Sequence, residues 1–250
     1  MGGRSPIVIA LDLGGTKLAT ALATRRGIQH EASEPTDPSG GRACLDQLVA
    51  AALRAQDRSG GAAAAIGVSV PGLARRDGTV WAPNIHGWTR APVARRLRET
   101  TGLPVIVESD RNASVIGETW LGAARGAADA ICLVVGTGIG AGILSGGRLI
   151  RGAHELSGCA GWMVFDAPQS TRGLTNLEQR AAGPAVGAAG AVAMNRPGVT
   201  AHDVVTAARR RDPAARQVLL DAASLLGLAV ANLISLFDPE VVVLGGGLGS

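Results

Sequence analysis

Tyrosine is absent from this 250-residue chain, phenylalanine occurs twice and tryptophan four times. A surface that stacks on nucleic-acid bases interleaves aromatic rings with basic side chains. No rings interleave with the arginine pairs at 25–26, 75–76 and 95–96 or with the run at 209–211. The net charge of +4 rests almost wholly on arginine, and these clusters read as solvated faces, so no nucleic-acid partner is expected. Cysteine is also scarce. Cys44, Cys132 and Cys159 lie too far apart for a disulfide framework or a CxxC zinc pair, so structural thiols and no metal site are expected. Glycine or charge interrupts each apolar run, so none is read as membrane-spanning. The opening MGGRSP has no signal-peptide core, because the apolar stretch behind it runs straight into Asp12. A cytoplasmic protein with no membrane partner is expected. Lysine occurs once, at Lys17, inside a glycine turn.

The organising stretch is Ile7 to Leu22, IVIALDLGGTKLATAL. β-branched and aliphatic residues lead into one acid, two glycines, a threonine and the lysine, and an alternating apolar run follows. This reads as strand, tight turn, strand. Gly14 and Gly15 let backbone N–H groups approach an anion, Thr16 adds a hydroxyl and Lys17 a positive charge. Asp12 could orient a metal ion or its waters. An ordinary glycine hairpin has the same sequence pattern, so the rest of the chain has to decide between the two readings.

Downstream, Arg42 to Gln56 has apolar residues at helical spacing and Ala65 to Val70 reads as a buried strand. Gly78 to Trp88 reads as an irregular loop carrying Asn84. Ser109-Asp110-Arg111-Asn112 sits where a strand ends and a helix opens, which is where α/β proteins bind ligands, although Asp110 also suits a helix N-cap. From Ala130 the opening architecture returns: AICLVV, then Gly136-Thr137-Gly138-Ile139-Gly140, then two more short strands. The repeat implies a duplicated mixed α/β fold of two lobes, about residues 1–118 and 119–250, facing a ligand cleft. Leu177 to Ala193 and Ala201 to Arg211 read as helices. Pro213 to Leu236 reads as a long apolar helix whose SLLGLAVANLISLF portion is apolar on nearly all sides and therefore buried. Val241 to Leu244 reads as a strand feeding Gly245-Gly246-Gly247.

DLGGTK, a strand-end SDRN, GTGIG and a late VVVLGGG, in this order, resemble the ROK family of sugar kinases and sugar-responsive repressors, within the two-lobed actin-like ATPase (ribonuclease H-like) fold. The resemblance implies that Asp12, Gly14, Gly15, Thr16 and Lys17 flank the phosphates of ATP with Mg2+, together with Gly136, Thr137 and Gly138. It implies that Gly245, Gly246 and Gly247 lie near the adenosine. It also implies that Asp110 is the catalytic base, and that Asn84, Ser109, Asp110 and Glu178 meet the sugar. Ser109 stands where the family commonly has asparagine. In the family's GExGH segment, Cys159 and Trp162 stand at the glutamate and histidine, and the usual zinc-binding cysteine cluster is missing from Asp166 to Glu178. No structural zinc is therefore expected.

The expected activity is ATP-dependent phosphorylation of a sugar hydroxyl, on a glucokinase-like hexose or an N-acyl hexosamine. The alternative is a catalytically impaired sugar- or nucleotide-binding protein of the same family. Family chains usually continue some tens of residues past the triple glycine and are compatible with homo-oligomers. A repressor is disfavoured because six residues before Ile7 are too few for a helix-turn-helix domain.

Overall fold

The computed structural model describes residues 6–165 and 175–248. The chain divides into two compact units, Met1–Ala113 and Ser114–Ser250.

The first unit opens with β1 (Ile7–Leu13), β2 (Lys17–Thr24) and β3 (Gly27–Pro35), followed by α1 (Gly41–Arg58) and β4 (Ala63–Val70). Two short strands, β5 (Leu73–Ala74) and β6 (Val80–Trp81), precede α2 (Val93–Thr101) and β7 (Val105–Ser109). The five-stranded sheet runs β3-β2-β1-β4-β7. β1, β2 and β3 pair antiparallel, while β4 joins β1 and β7 in parallel. Alternation in β1 places Ile9, Leu11 and Leu13 on one buried face, and Leu18 and Leu22 of β2 join them. α1 covers this face with Cys44, Leu45, Leu48, Val49, Ala52 and Ala55, a stripe at helical spacing. The segment expected to be irregular throughout, Gly78 to Trp88, holds β6, which pairs antiparallel with β5.

α3 (Asp110–Leu121) crosses from the first unit into the second. The second unit contains β8 (Ala130–Val135), β9 (Ile139–Ser145), β10 (Arg148–Leu149), α4 (Glu178–Ala181), α5 (Gly183–Ala193), α6 (Ala201–Arg209), α7 (Pro213–Phe237) and β11 (Val241–Gly245). Its sheet runs β10-β9-β8-β11, again with two antiparallel pairings followed by a parallel one. The order repeats that of β3-β2-β1-β4, so the duplication read from the glycine turns extends to the strand order.

Two helices differ from the sequence reading. Leu177 to Ala193 is two helices, α4 and α5, because Ala182 is extended (φ −74°, ψ 163°) and Pro184 follows. Proline has no N–H to donate and its ring crowds the carbonyl four residues earlier, so one continuous helix would be broken here. The SLLGLAVANLISLF portion of α7 is apolar on nearly all sides, which predicts burial. The helix is instead long and apolar enough to cross a membrane by length and composition, and 28% of that stretch is buried. Ala215, Val218, Ala222, Ala229 and Leu233 face inward, while Leu220, Leu228 and Leu236 are exposed. Gly227 does not interrupt the helix, since one glycine costs only about 1 kcal/mol against alanine.

Candidate functional site

The first glycine turn is closed by Gly14 donating its N–H to Lys17 O at 2.8 Å. A Cβ on Gly14 would lie 3.2 Å from that oxygen, so the closure favours glycine there. Gly15 has open space around it, and Asp12, Gly15, Thr16 and Lys17 are exposed. Thr36, just past β3, braces the turn from behind. Its N–H donates to Thr16 O at 3.0 Å and its hydroxyl to Gly14 O at 2.8 Å. No local signal marked Thr36, because the contact depends on β2–β3 pairing.

Strand register brings distant acids to one sheet end. Asp12 of β1 pairs with Ser69 of β4, and Ser69 pairs with Glu108 of β7, two residues before Asp110. Asp110 opens α3, and its Oδ1 accepts the Arg111 N–H at 2.8 Å. The carboxyl is open to solvent yet crowded by surrounding protein. That desolvation raises its pKa, the negative charge of Asp12 raises it further, and the Arg111 N–H and guanidinium pull it down.

The neighbours of Asp110 form a buried polar base. Glu108 Oε1 accepts from the Ser109 N–H at 2.9 Å and from Asn112 Nδ2 at 2.8 Å. Arg111 is buried and its Nη1 donates to Gly72 O at 2.9 Å. Ser109, expected among the sugar-binding residues, is 1% exposed. Among the described residues its buried Oγ has no hydrogen-bond partner, and neither has Asn112 Oδ1. Asn84 is exposed in a turn where Ile85 donates its N–H to Ala82 O and Trp88 its N–H to Ile85 O. This turn is pinned to the start of α1 by the Gly41 N–H to His86 O and by Trp88 Nε1 to Gly41 O at 2.9 Å.

In the second unit, Gly136 N–H donates to Gly138 O at 2.9 Å, closing the second glycine turn. Gly246 abuts the residue before that turn: its φ is +87°, and a Cβ there would lie 2.4 Å from Val135 O. Leu248 N–H donates to the same carbonyl at 3.1 Å. The structure thus brings Gly136–Gly138 and Gly245–Gly247 together. Glu178 is half-buried, and its Oε2 accepts the Ile139 N–H at 2.8 Å. Cys159 is half-buried and Trp162 is 49% exposed. Most of the segment where the zinc cysteines would lie, 166–174, is outside the described residues. Among the described residues, no cluster of three or more His, Cys, Asp or Glu side chains is arranged to hold a metal.

The ROK family model matches residues 8–250. The chain belongs to the ROK family. It is 37% identical over 248 residues to the bifunctional enzyme NanE/NanK of Brucella suis, matching 97% of this chain and 45% of that protein. The chain therefore spans less than half the length of that relative. It is 33% identical over 266 residues to the glucokinase of Streptomyces coelicolor, covering 97% of this chain and 82% of the relative. Among solved structures, the ROK hexokinase of Thermus thermophilus matches with a TM-score of 0.84 and 39% identity, over 97% of this chain and 82% of that one. The ROK glucokinase of Streptomyces griseus in complex with glucose and AMPPNP matches with a TM-score of 0.82 and 30% identity, over 97% and 83%.

Proposed function

We propose that this ROK protein is an ATP-dependent sugar kinase acting on a hydroxyl of a glucose-like hexose or an N-acyl hexosamine. The observation that carries the reading is the juxtaposition, within one unit, of an intact Asp12–Lys17 turn and an exposed Asp110 whose pKa is raised by desolvation and by Asp12. A general base works best with its pKa moved toward the working pH. In phosphoryl transfer the attacking hydroxyl needs orientation and only late loss of its proton, which a carboxylate within hydrogen-bond reach supplies. Asp110 is that carboxylate. Lys17 and the glycine-turn N–H groups offset negative charge on the phosphates.

The names of the relatives support both parts of the substrate range, since they include glucokinases and a Listeria monocytogenes protein assigned as an N-acetylmannosamine kinase. Nucleotide use is supported by the AMPPNP complex of the Streptomyces griseus glucokinase. Magnesium binds through few carboxylates plus phosphates and water, which one exposed carboxylate, Asp12, fits. When bound, it neutralises charge on the transferring phosphoryl group. Asn84, exposed on its pinned turn, is assigned to the sugar.

Coupled measurement of ADP release across a panel of hexoses and N-acyl hexosamines tests this, with Asp110→Asn as control. Sugar-stimulated turnover that Asp110→Asn abolishes supports the kinase. Sugar and nucleotide binding without turnover supports the impaired binding protein that Cys159 and Trp162 point to.

A further inference from the structure

The second glycine turn is held from both ends of a helix only one turn long. Glu178 opens α4, and its Oε2 accepts the Ile139 N–H at 2.8 Å. Gly183, just past α4, donates its own N–H to Gly136 O at 2.8 Å. The two bonds grip opposite sides of the turn. The backbone under Glu178 is itself fixed, because Leu177 is fully buried and its N–H donates to Met163 O at 2.8 Å.

Two glycines make room for the carboxylate. A Cβ on Gly138 would lie 2.7 Å from Glu178 Oε2. A Cβ on Gly161 would lie 3.0 Å from the same oxygen and 2.6 Å from Ile139 O. A side chain that only met a diffusing ligand would need neither glycine. The consequence falls on the turn's donors. Gly136 N–H is spent on Gly138 O and Ile139 N–H on Glu178, while among the described residues the N–H groups of Thr137 and Gly138 have no partner and stay available to a ligand.

We infer that Glu178 is a positioning residue for the second glycine turn: its carboxylate fixes the Ile139 end so that the Thr137 and Gly138 N–H groups stay set for the phosphates of ATP. This rests on the reading of that turn as a nucleotide site. The role is separate from the sugar contact implied by family resemblance, and it acts before any sugar arrives.

The test uses the full chain without sugar. Amide hydrogen exchange at Ile139 reads the hold on the turn, and calorimetry with ATP and Mg2+ reads its consequence. In Glu178→Ala, Ile139 exchange is expected to quicken and ATP affinity to fall, each by about tenfold, the scale of one lost hydrogen bond to a charged group. Glu178→Gln keeps an acceptor oxygen and is expected to retain both. Gly138→Ala leaves the carboxylate in the chain but pushes it off the turn, so it is expected to behave like Glu178→Ala and also serves if that variant does not fold. Unchanged Ile139 exchange in both alanine variants, with sugar affinity alone reduced in Glu178→Ala, overturns the positioning role. Failure of the wild type to bind ATP overturns the nucleotide reading instead, while Ile139 exchange still decides whether Glu178 holds the turn.

Discussion

The guanidinium of Arg111 donates to the carbonyl oxygen of Gly72 at 2.9 Å, tying the start of α3 to the turn that follows β4. The same cation lies beside Asp110 and holds its carboxyl down against desolvation. Arg111→Met is therefore expected to cost about 1–3 kcal/mol, the penalty for removing one partner of a buried charge-assisted bond. It is also expected to move the acidic limb of the activity profile to higher pH. Arg111→Lys keeps the charge but loses the planar reach, so it should restore the pH profile more fully than the stability. Denaturant unfolding and kcat against pH, measured on all three proteins, separate the two effects.

Asp110 links activity and stability in opposite directions. As the proposed base it must be ionised, so kcat is expected to fall as pH drops through its folded pKa, at a pH above the 3.9 or so of a free aspartate. Because that pKa is raised, the folded state binds the proton more tightly than the unfolded chain. The resulting stabilisation is full below the unfolded pKa and is lost as pH rises through the folded one. At pH 8 the ionised carboxylate is thus a burden on the fold. Asp110→Asn is expected to lower turnover by about 10²–10⁴-fold while unfolding at a temperature no lower than wild type. Thermal scans at pH 8 beside the turnover assay check both halves.

The parts of this arrangement legible in the sequence are those whose chemistry is local. Gly14-Gly15-Thr16-Lys17 and Gly136-Thr137-Gly138 announce themselves through residues that only a tight turn would group, and Asp110 through its place between a strand and a helix. The groups that brace them were not legible. Thr36 reaches Gly14 only because β2 and β3 pair, and Asp12 meets Asp110 only through the register of three strands. No spacing rule connects Glu178 to Ile139, which lies on another element. The outer face of α7 was misread for a different reason: hydropathy reports composition, whereas burial depends on which neighbours exist to cover each side.

The three cysteines should differ sharply in reactivity. Burial, with the charge of Asp37 adding to it, pushes the Cys44 thiol up to about 11. Burial and Glu118 push Cys132 up to about 11 as well. Neither forms much thiolate at pH 8, and both lie inside hydrophobic cores. Cys159 is half-buried on a short turn. A thiol-reactive chromophore is expected to label Cys159 first in the native protein and all three cysteines after denaturation, with the fast phase removed by Cys159→Ser.

On α7 the same residue type sits in two environments. Leu233 is 2% exposed and Leu228 is 52% exposed. Truncating Leu233 removes buried methyl groups and leaves a cavity, for an expected loss of about 2–5 kcal/mol in Leu233→Ala. Leu228→Gln removes no packing and should change stability by no more than about 0.5 kcal/mol. Equal losses in chemical denaturation would mean that the outer face of α7 is covered in solution.

The turn carrying Asn84 has its own anchor, which separates the effect of the side chain from that of its placement. Trp88 is 2% exposed and its indole N–H reaches Gly41 O at 2.9 Å. Gly40 has φ +62°, and a Cβ there would sit 2.6 Å from His86 O. Asn84→Ala removes the sugar hydrogen bonds proposed for Asn84 and leaves the turn intact, so sugar KM is expected to rise with little change in stability. Trp88→Phe keeps an aromatic ring but loses the bond and part of the buried indole, costing about 1–3 kcal/mol. Gly40→Ala forces both the backbone and the His86 carbonyl to shift, for about 1–3 kcal/mol. Both anchor variants are expected to raise sugar KM through a loosened turn while leaving ATP KM near wild type, because the Gly14 turn, proposed to meet ATP, is braced separately by Thr36. Steady-state kinetics with each substrate varied in turn check this, and a rise in ATP KM alone would show that the Asn84 turn serves the nucleotide instead.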